Sequence, residues 1–182
     1  MIYTVQHLLN QFGQQLGLKL ITGQEGLNRS IKLPEAHRPG LSLSGYLNHY
    51  EKRRILVFGQ VEIAYLKGLS SSVRRERLQA ILTPQTPAVV VTGRNKITEE
   101  LMDLCTKEKL PLFHSATQTI PMLNQLISLL TEAFAPTITC HATFVEAFGV
   151  GVLIQGDSSV GKSEAALGLI ERGHRLISAG VS

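Results

Sequence analysis

Residues 151–173 read GVLIQGDSSVGKSEAALGLIERG. Inside this stretch Gly156-Asp157-Ser158-Ser159-Val160-Gly161-Lys162-Ser163 satisfies G-x-x-x-x-G-K-[ST] at every fixed position, so all eight residues are candidate phosphate-binding positions. The two fixed glycines leave the backbone free to take conformations closed to other residues, which lets consecutive N–H groups converge on phosphate oxygens. A helix starting at Lys162 aims the positive end of its dipole at the same anion. Lys162 adds a mobile positive charge near the terminal phosphates, and Ser163 offers a hydroxyl to Mg²⁺. The flanks agree with this reading. Val150 to Ile154 is strand-like by composition, while Ala165, Ala166, Leu169 and Ile170 form a stripe at helical spacing, buried in this reading, that Gly173 terminates. Strand, glycine-rich loop and helix together mark the start of a P-loop nucleotide-binding fold.

Upstream, Thr137 to Val145 is rich in β-branched residues, and Phe148-Gly149 suits a turn. The expectation is a strand hairpin whose second strand runs into the loop. Ala135-Pro136 punctuates the chain and sets the predicted boundary between an amino-terminal domain, 1–134, and a partial P-loop kinase domain, 135–182. In the first of these, Val5, Leu8, Leu9, Phe12 and Leu16 lie on one face of a helix that Gly17 stops, followed by a short strand near Leu18 to Thr22. From Gly23 to Gly45 little periodicity survives. Apolar runs at 55–58, 88–91 and 112–113 then alternate with helical text. One helix is capped by Thr98, has Glu99 and Glu100 at its positive end, and carries Leu101, Leu104 and Cys105. The next admits Pro121 in its first turn and carries Leu123, Leu126, Ile127 and Leu130. Strands alternating with helices predict a small α/β domain with mostly parallel strands.

Composition sets the wider limits. The chain has 182 residues, 43% of them hydrophobic and 18% charged, enough to build a core and too apolar for global disorder. Its formal net charge is +4. The basic clusters at Lys52-Arg53-Arg54 and Arg74-Arg75 have no interleaved aromatic residues, so they read as solvated helix ends, and no nucleic-acid partner is expected. No run is long and apolar enough to cross a bilayer, and the amino end lacks a signal-peptide pattern. Cys105 and Cys140 stand in no metal-type spacing and read as core residues of a protein in the reducing cytoplasm. A histidine in a strand, such as His141, is ordinarily structural, although here its strand pairs with the one entering the loop.

The segments Ala135 to Ala142, Gly149 to Ile154, the loop with its Lys162-Ser163-Glu164 continuation, and Glu171 to Ile177 resemble, in register, the bacterial HPr kinase/phosphorylase family. Val57-Phe58-Gly59-Gln60 and Lys109-Leu110-Pro111-Leu112 resemble its amino-terminal domain. The resemblance implies an enzyme that uses ATP or pyrophosphate to phosphorylate a serine of the phosphocarrier HPr. It also implies removal of that phosphate with inorganic phosphate, in regulation of sugar transport and carbohydrate metabolism. It places the active-site histidine at His141, the active-site lysine at Lys162 and the metal-ligating serine at Ser163, and it implies a hexamer. It departs at the tail. Where the family has paired aspartates, one of them the general base, this chain has Ala179 and Gly180, and Ser178 to Ser182 contains no carboxylate.

The resulting expectation is a weakened phosphate site on an incompletely covered kinase half-domain, with little or no turnover. The competing reading is a non-catalytic interaction or oligomerisation module carrying a relic loop, which predicts no nucleotide-dependent shift in melting temperature. An unrelated P-loop nucleotidase or small-molecule kinase ranks last, because no strand ending in aspartate follows the loop.

Overall fold

The computed structural model describes residues 2–136, 142–157 and 159–181. The chain divides into two units, Met1–Ala135 and Pro136–Ser182.

In the first unit, helix α1 (Val5–Phe12) precedes strand β1 (Lys19–Thr22), strand β2 (Ala36–His37) and the single turn α2 (Gly40–Leu43). Then come β3 (Ile55–Phe58), α3 (Gln60–Gly68), α4 (Ser71–Ile81), β4 (Val89–Thr92), α5 (Glu99–Lys107), β5 (Leu112–Ser115) and α6 (Thr119–Ala133). The sheet order is β1-β5-β4-β3-β2. Strands β2, β3, β4 and β5 run parallel, and β1 is antiparallel to β5 with a register irregularity between Leu20 and Thr22. The mixed α/β fold with a mainly parallel sheet is the expected one.

The central strands are apolar at nearly every position because both faces of the sheet are covered. Alternate residues Ile55, Val57, Val90 and Phe113 join a core with Val5, Leu8, Met122, Leu126 and Leu130 of α1 and α6. Their neighbours Leu56, Phe58, Val89, Val91 and Leu112 join a second core with Leu66, Leu78, Leu101 and Leu104 of α3, α4 and α5. Cys105 is buried in that second core, and burial pushes its thiol up to about 12. Cys140 lies outside the described residues.

Several local expectations change. Helix α1 ends at Phe12, and Leu16 reaches its core through turns that close at Gly17. Thr4 and His7 form the capping box of α1: the His7 N–H donates to Thr4 Oγ1 and the Thr4 N–H to His7 Nδ1. Thr98 does occupy the cap position of α5, yet its buried hydroxyl bonds no described group. The basic clusters are not solvated helix ends. Residues 52–54 form a turn before β3, where Arg53 pairs with Glu51 and Arg54 with Glu35. Arg74 lies within α4, bonded to the Leu66 and Leu69 carbonyls and to Glu100. The Arg29 guanidinium donates to the carbonyls of Pro84, Thr86, Glu108 and Lys109 and ties two loops together.

The second unit contains β6 (Ala142–Ala147), β7 (Val150–Gln155), α7 (Lys162–Glu171) and β8 (Arg175–Val181). Its sheet runs β7-β6-β8, antiparallel throughout. Among the described residues of the whole chain, no helix is long and apolar enough to cross a membrane.

Candidate functional site

The hairpin that feeds the loop is set by its turn. Phe148 and Gly149 both have positive φ, 54° and 77°, the sign a two-residue type I′ turn requires at both central positions. The Phe148 ring packs edge-on against His174, with centroids 4.5 Å apart. From this turn the register runs unbroken from Ala147 opposite Val150 to Ala142 opposite Gln155. On its other side Ala142 is paired with Val181, and Thr143 with Ala179. The row Val181, Ala142, Gln155 therefore crosses the sheet at the point where the chain leaves β7 for the glycine-rich loop.

That loop turns through two left-handed residues, Ser159 at φ 67° and Gly161 at φ 91°. At Ser159 this conformation costs roughly 1 kcal/mol, a cost commonly found at ligand-gripping turns. Gly161 is the cap residue of α7 and contributes no side chain to block the helix start. The first bond of the helix runs from the Ala165 N–H to the Gly161 carbonyl, at 2.9 Å. The N–H groups of Lys162, Ser163 and Glu164 have no intrahelical acceptor, as at any helix start, and together with the dipole they form an anion seat. A Cβ at Gly156 would lie 2.9 Å from a methyl of Val160, so the loop closes tightly at its first glycine.

Lys162 folds back over this seat. Its Nζ donates to the carbonyl of Gly156 at 2.7 Å and to that of Asp157 at 2.5 Å. The ammonium is thus held at the loop by two neutral acceptors that anionic oxygens can outcompete. The Ser163 side chain is exposed in the first turn of α7. Among the described residues no three His, Cys, Asp or Glu side chains converge as a metal site. A cation seated at the Ser163 hydroxyl would take most of its ligands from a bound phosphate and water, the coordination habit of Mg²⁺.

Of the predicted site residues, the structure brings together Gly156, Asp157, Ser159, Val160, Gly161, Lys162 and Ser163 around one turn. Ser158 and His141 lie outside the described residues. The stripe expected to be buried under α7 is covered only in part. Ala166 is buried and Leu169 half-buried, whereas Ala165 and Ile170 are exposed. The hold of Lys162 on two loop carbonyls escaped the sequence reading, which placed its charge beside phosphate and had no view of its resting partner.

Comparison with known proteins settles the lineage. Residues 3–130 match the family described as HPr Serine kinase N terminus, and residues 132–181 that described as HPr Serine kinase C-terminal domain. The chain belongs to the HPr kinase family. A relative from Bacillus subtilis (strain 168), named HPr kinase/phosphorylase, is 37% identical over 164 residues, which is 90% of this chain and 53% of that protein. HPr kinase/phosphorylase 1 of Oceanobacillus iheyensis is 39% identical over 176 residues, or 97% of this chain and 56% of the relative. The Exiguobacterium HPr kinase/phosphorylase is 40% identical over 167 residues, covering 92% and 54%. The chain spans about half the length of these curated relatives.

Proposed function

We propose that the chain carries the donor-gripping elements of a kinase and phosphorylase acting on a serine of HPr. The cradle at 156–163 holds the phosphates of ATP or pyrophosphate. The observation that carries this reading is the loop itself: a left-handed glycine at the helix cap, first-turn amides without intrahelical acceptors, and Lys162 poised over the same turn. When bound, Mg²⁺ would neutralise charge on the donor oxygens beside the Ser163 hydroxyl. The residues of the chain handle the donor. Backbone amides orient the phosphate, Lys162 leaves its carbonyl partners to follow the terminal phosphoryl group, and His141, next in sequence to Ala142, serves as the active-site histidine.

The acceptor serine must also lose its proton, ordinarily to a carboxylate within hydrogen-bond reach. Positions 179 and 180, where the resemblance places aspartates, hold Ala and Gly, so this chain is read as binding donor without efficient transfer. The same reading includes cytoplasmic residence, homohexameric assembly and a role in regulating sugar uptake through HPr.

The test has two arms. ATP or pyrophosphate with Mg²⁺ should raise the melting temperature by several degrees, and Lys162→Ala should abolish most of that rise. Incubation with HPr, ATP and Mg²⁺ should give no efficient phosphoserine formation. An absent thermal shift would overturn the binding reading, and rapid phosphorylation would overturn the account of the missing base.

A further inference from the structure

The first unit contains a crevice of about 890 Å³ at the carboxyl edge of its parallel sheet. Each parallel strand supplies part of the wall from the residues just past its end: Arg38 after β2, Gln60 and Val61 after β3, Arg94 after β4, and Thr119 and Ile120 after β5. The position follows from topology. The connections leaving β3 and β4 carry the chain to the helices of one face, α3 and α5, and the connection leaving β5 carries it to α6 on the other. Where neighbouring connections part to opposite faces, an open α/β sheet gapes at its carboxyl edge, and ligands of such sheets bind there.

The lining has a definite chemistry. It contains two arginines and no carboxylate. Arg38 is committed to Glu62, which accepts from its Nε and Nη2 at 3.1 Å each and also takes the Gly59 N–H at 2.9 Å. Arg94 is exposed and has no hydrogen bond or ion pair with any described residue. The starts of α3 and α6 meet at this place, because a Cβ on Gly59 would collide with the Thr119 side chain. Neither helix start is blocked by its own cap side chain, and the amides of Gln60, Val61, Thr119 and Ile120 precede the first intrahelical bonds, at Ile63 and Met122. Val61 and Ile120 keep apolar side chains 65% and 54% exposed at the rim. The volume matches that of small-molecule sites, roughly 300–1,000 Å³.

We propose that this crevice binds a small phosphate monoester, its phosphate held by Arg94 and the α3 and α6 amides and its uncharged body resting on Val61 and Ile120. The site is built from residues of the first unit alone and does not depend on the kinase reading.

The test uses the full isotope-labelled chain and reads amide chemical shifts, which separate the two sites by residue. Probes are ribose 5-phosphate and inorganic phosphate, with ribose as the uncharged control. Ribose 5-phosphate should move the amides of Gln60, Val61, Arg94, Thr119 and Ile120 saturably, inorganic phosphate should move them more weakly, and ribose should leave them in place. Arg94→Gln should weaken the crevice response at least tenfold with an unchanged melting temperature, and Arg94→Lys should retain part of it. Shifts confined to the amides of 159–163, or a crevice response indifferent to Arg94→Gln, would overturn the proposal.

Discussion

Glu100 shows how much of the first unit rests on single polar contacts. Its side chain is 8% exposed, and its carboxylate accepts from the Ser71 hydroxyl at 2.7 Å and from Arg74 at 2.8 Å and 3.0 Å. The Ser71 bond and then the Arg74 bonds hold its carboxyl down to about 2. Above about pH 4.5 folded and unfolded chains are both ionised here, and the full stabilisation is present. As pH falls from 4.5 towards 2 the unfolded chain takes up a proton that the folded one refuses, so this stabilisation is lost across that window. Glu100→Gln should cost about 2 kcal/mol at neutral pH and flatten the acid limb, as read by urea unfolding at a series of pH values. No sequence pattern announces this pair. Arg74 stands beside Arg75 in a run that looks solvated, and its partner belongs to another helix.

The elements that were legible in the sequence share a cause. β3 and β4 are continuous apolar runs because both faces of the sheet are covered, and the cradle is a local pattern in which spacing alone dictates the conformation. Other elements depend on what lies beside them. β2 is two residues long and exists through its register with Ile55 and Leu56, which no local text encodes. α1 stops a turn before Leu16 although the apolar spacing continues, since turns through Gly17 deliver that side chain to the same core. The crevice was invisible for the same reason, being built from connections scattered between Arg38 and Pro121. In the second unit the spacing of α7 identified the helix, but burial depends on neighbours, and only Ala166 has them in full. Gly161 joins both kinds of information, a motif position whose φ of 91° makes the requirement physical. Gly161→Ala should destabilise the second unit by about 1 kcal/mol and, by tilting the first-turn amides, remove most of the ATP-dependent gain in melting temperature.

At the scale of the molecule the two units are built very differently. The first has two layers of core against one sheet. In the second, Ala142, Val145 and Ala166 are the buried apolar residues described, while Val152, Leu153, Leu167, Leu176 and Ile177 remain exposed. A unit of this size with so little buried is marginally stable. Limited proteolysis should therefore cleave within 136–182 first and leave a resistant fragment ending near 135. ATP with Mg²⁺ should slow that cleavage, and Lys162→Ala should cancel the protection; equal cleavage of both units would contradict the contrast. One feature of the smaller sheet makes the difference observable without cutting the chain. β6 is bonded on both flanks, and β7, which delivers the chain into the cradle, is bonded on one. In heavy water the outward-facing amides of β7 should take up deuterium far sooner than those of β6, so the strand bearing the phosphate loop is also where ligand-induced tightening would first be timed.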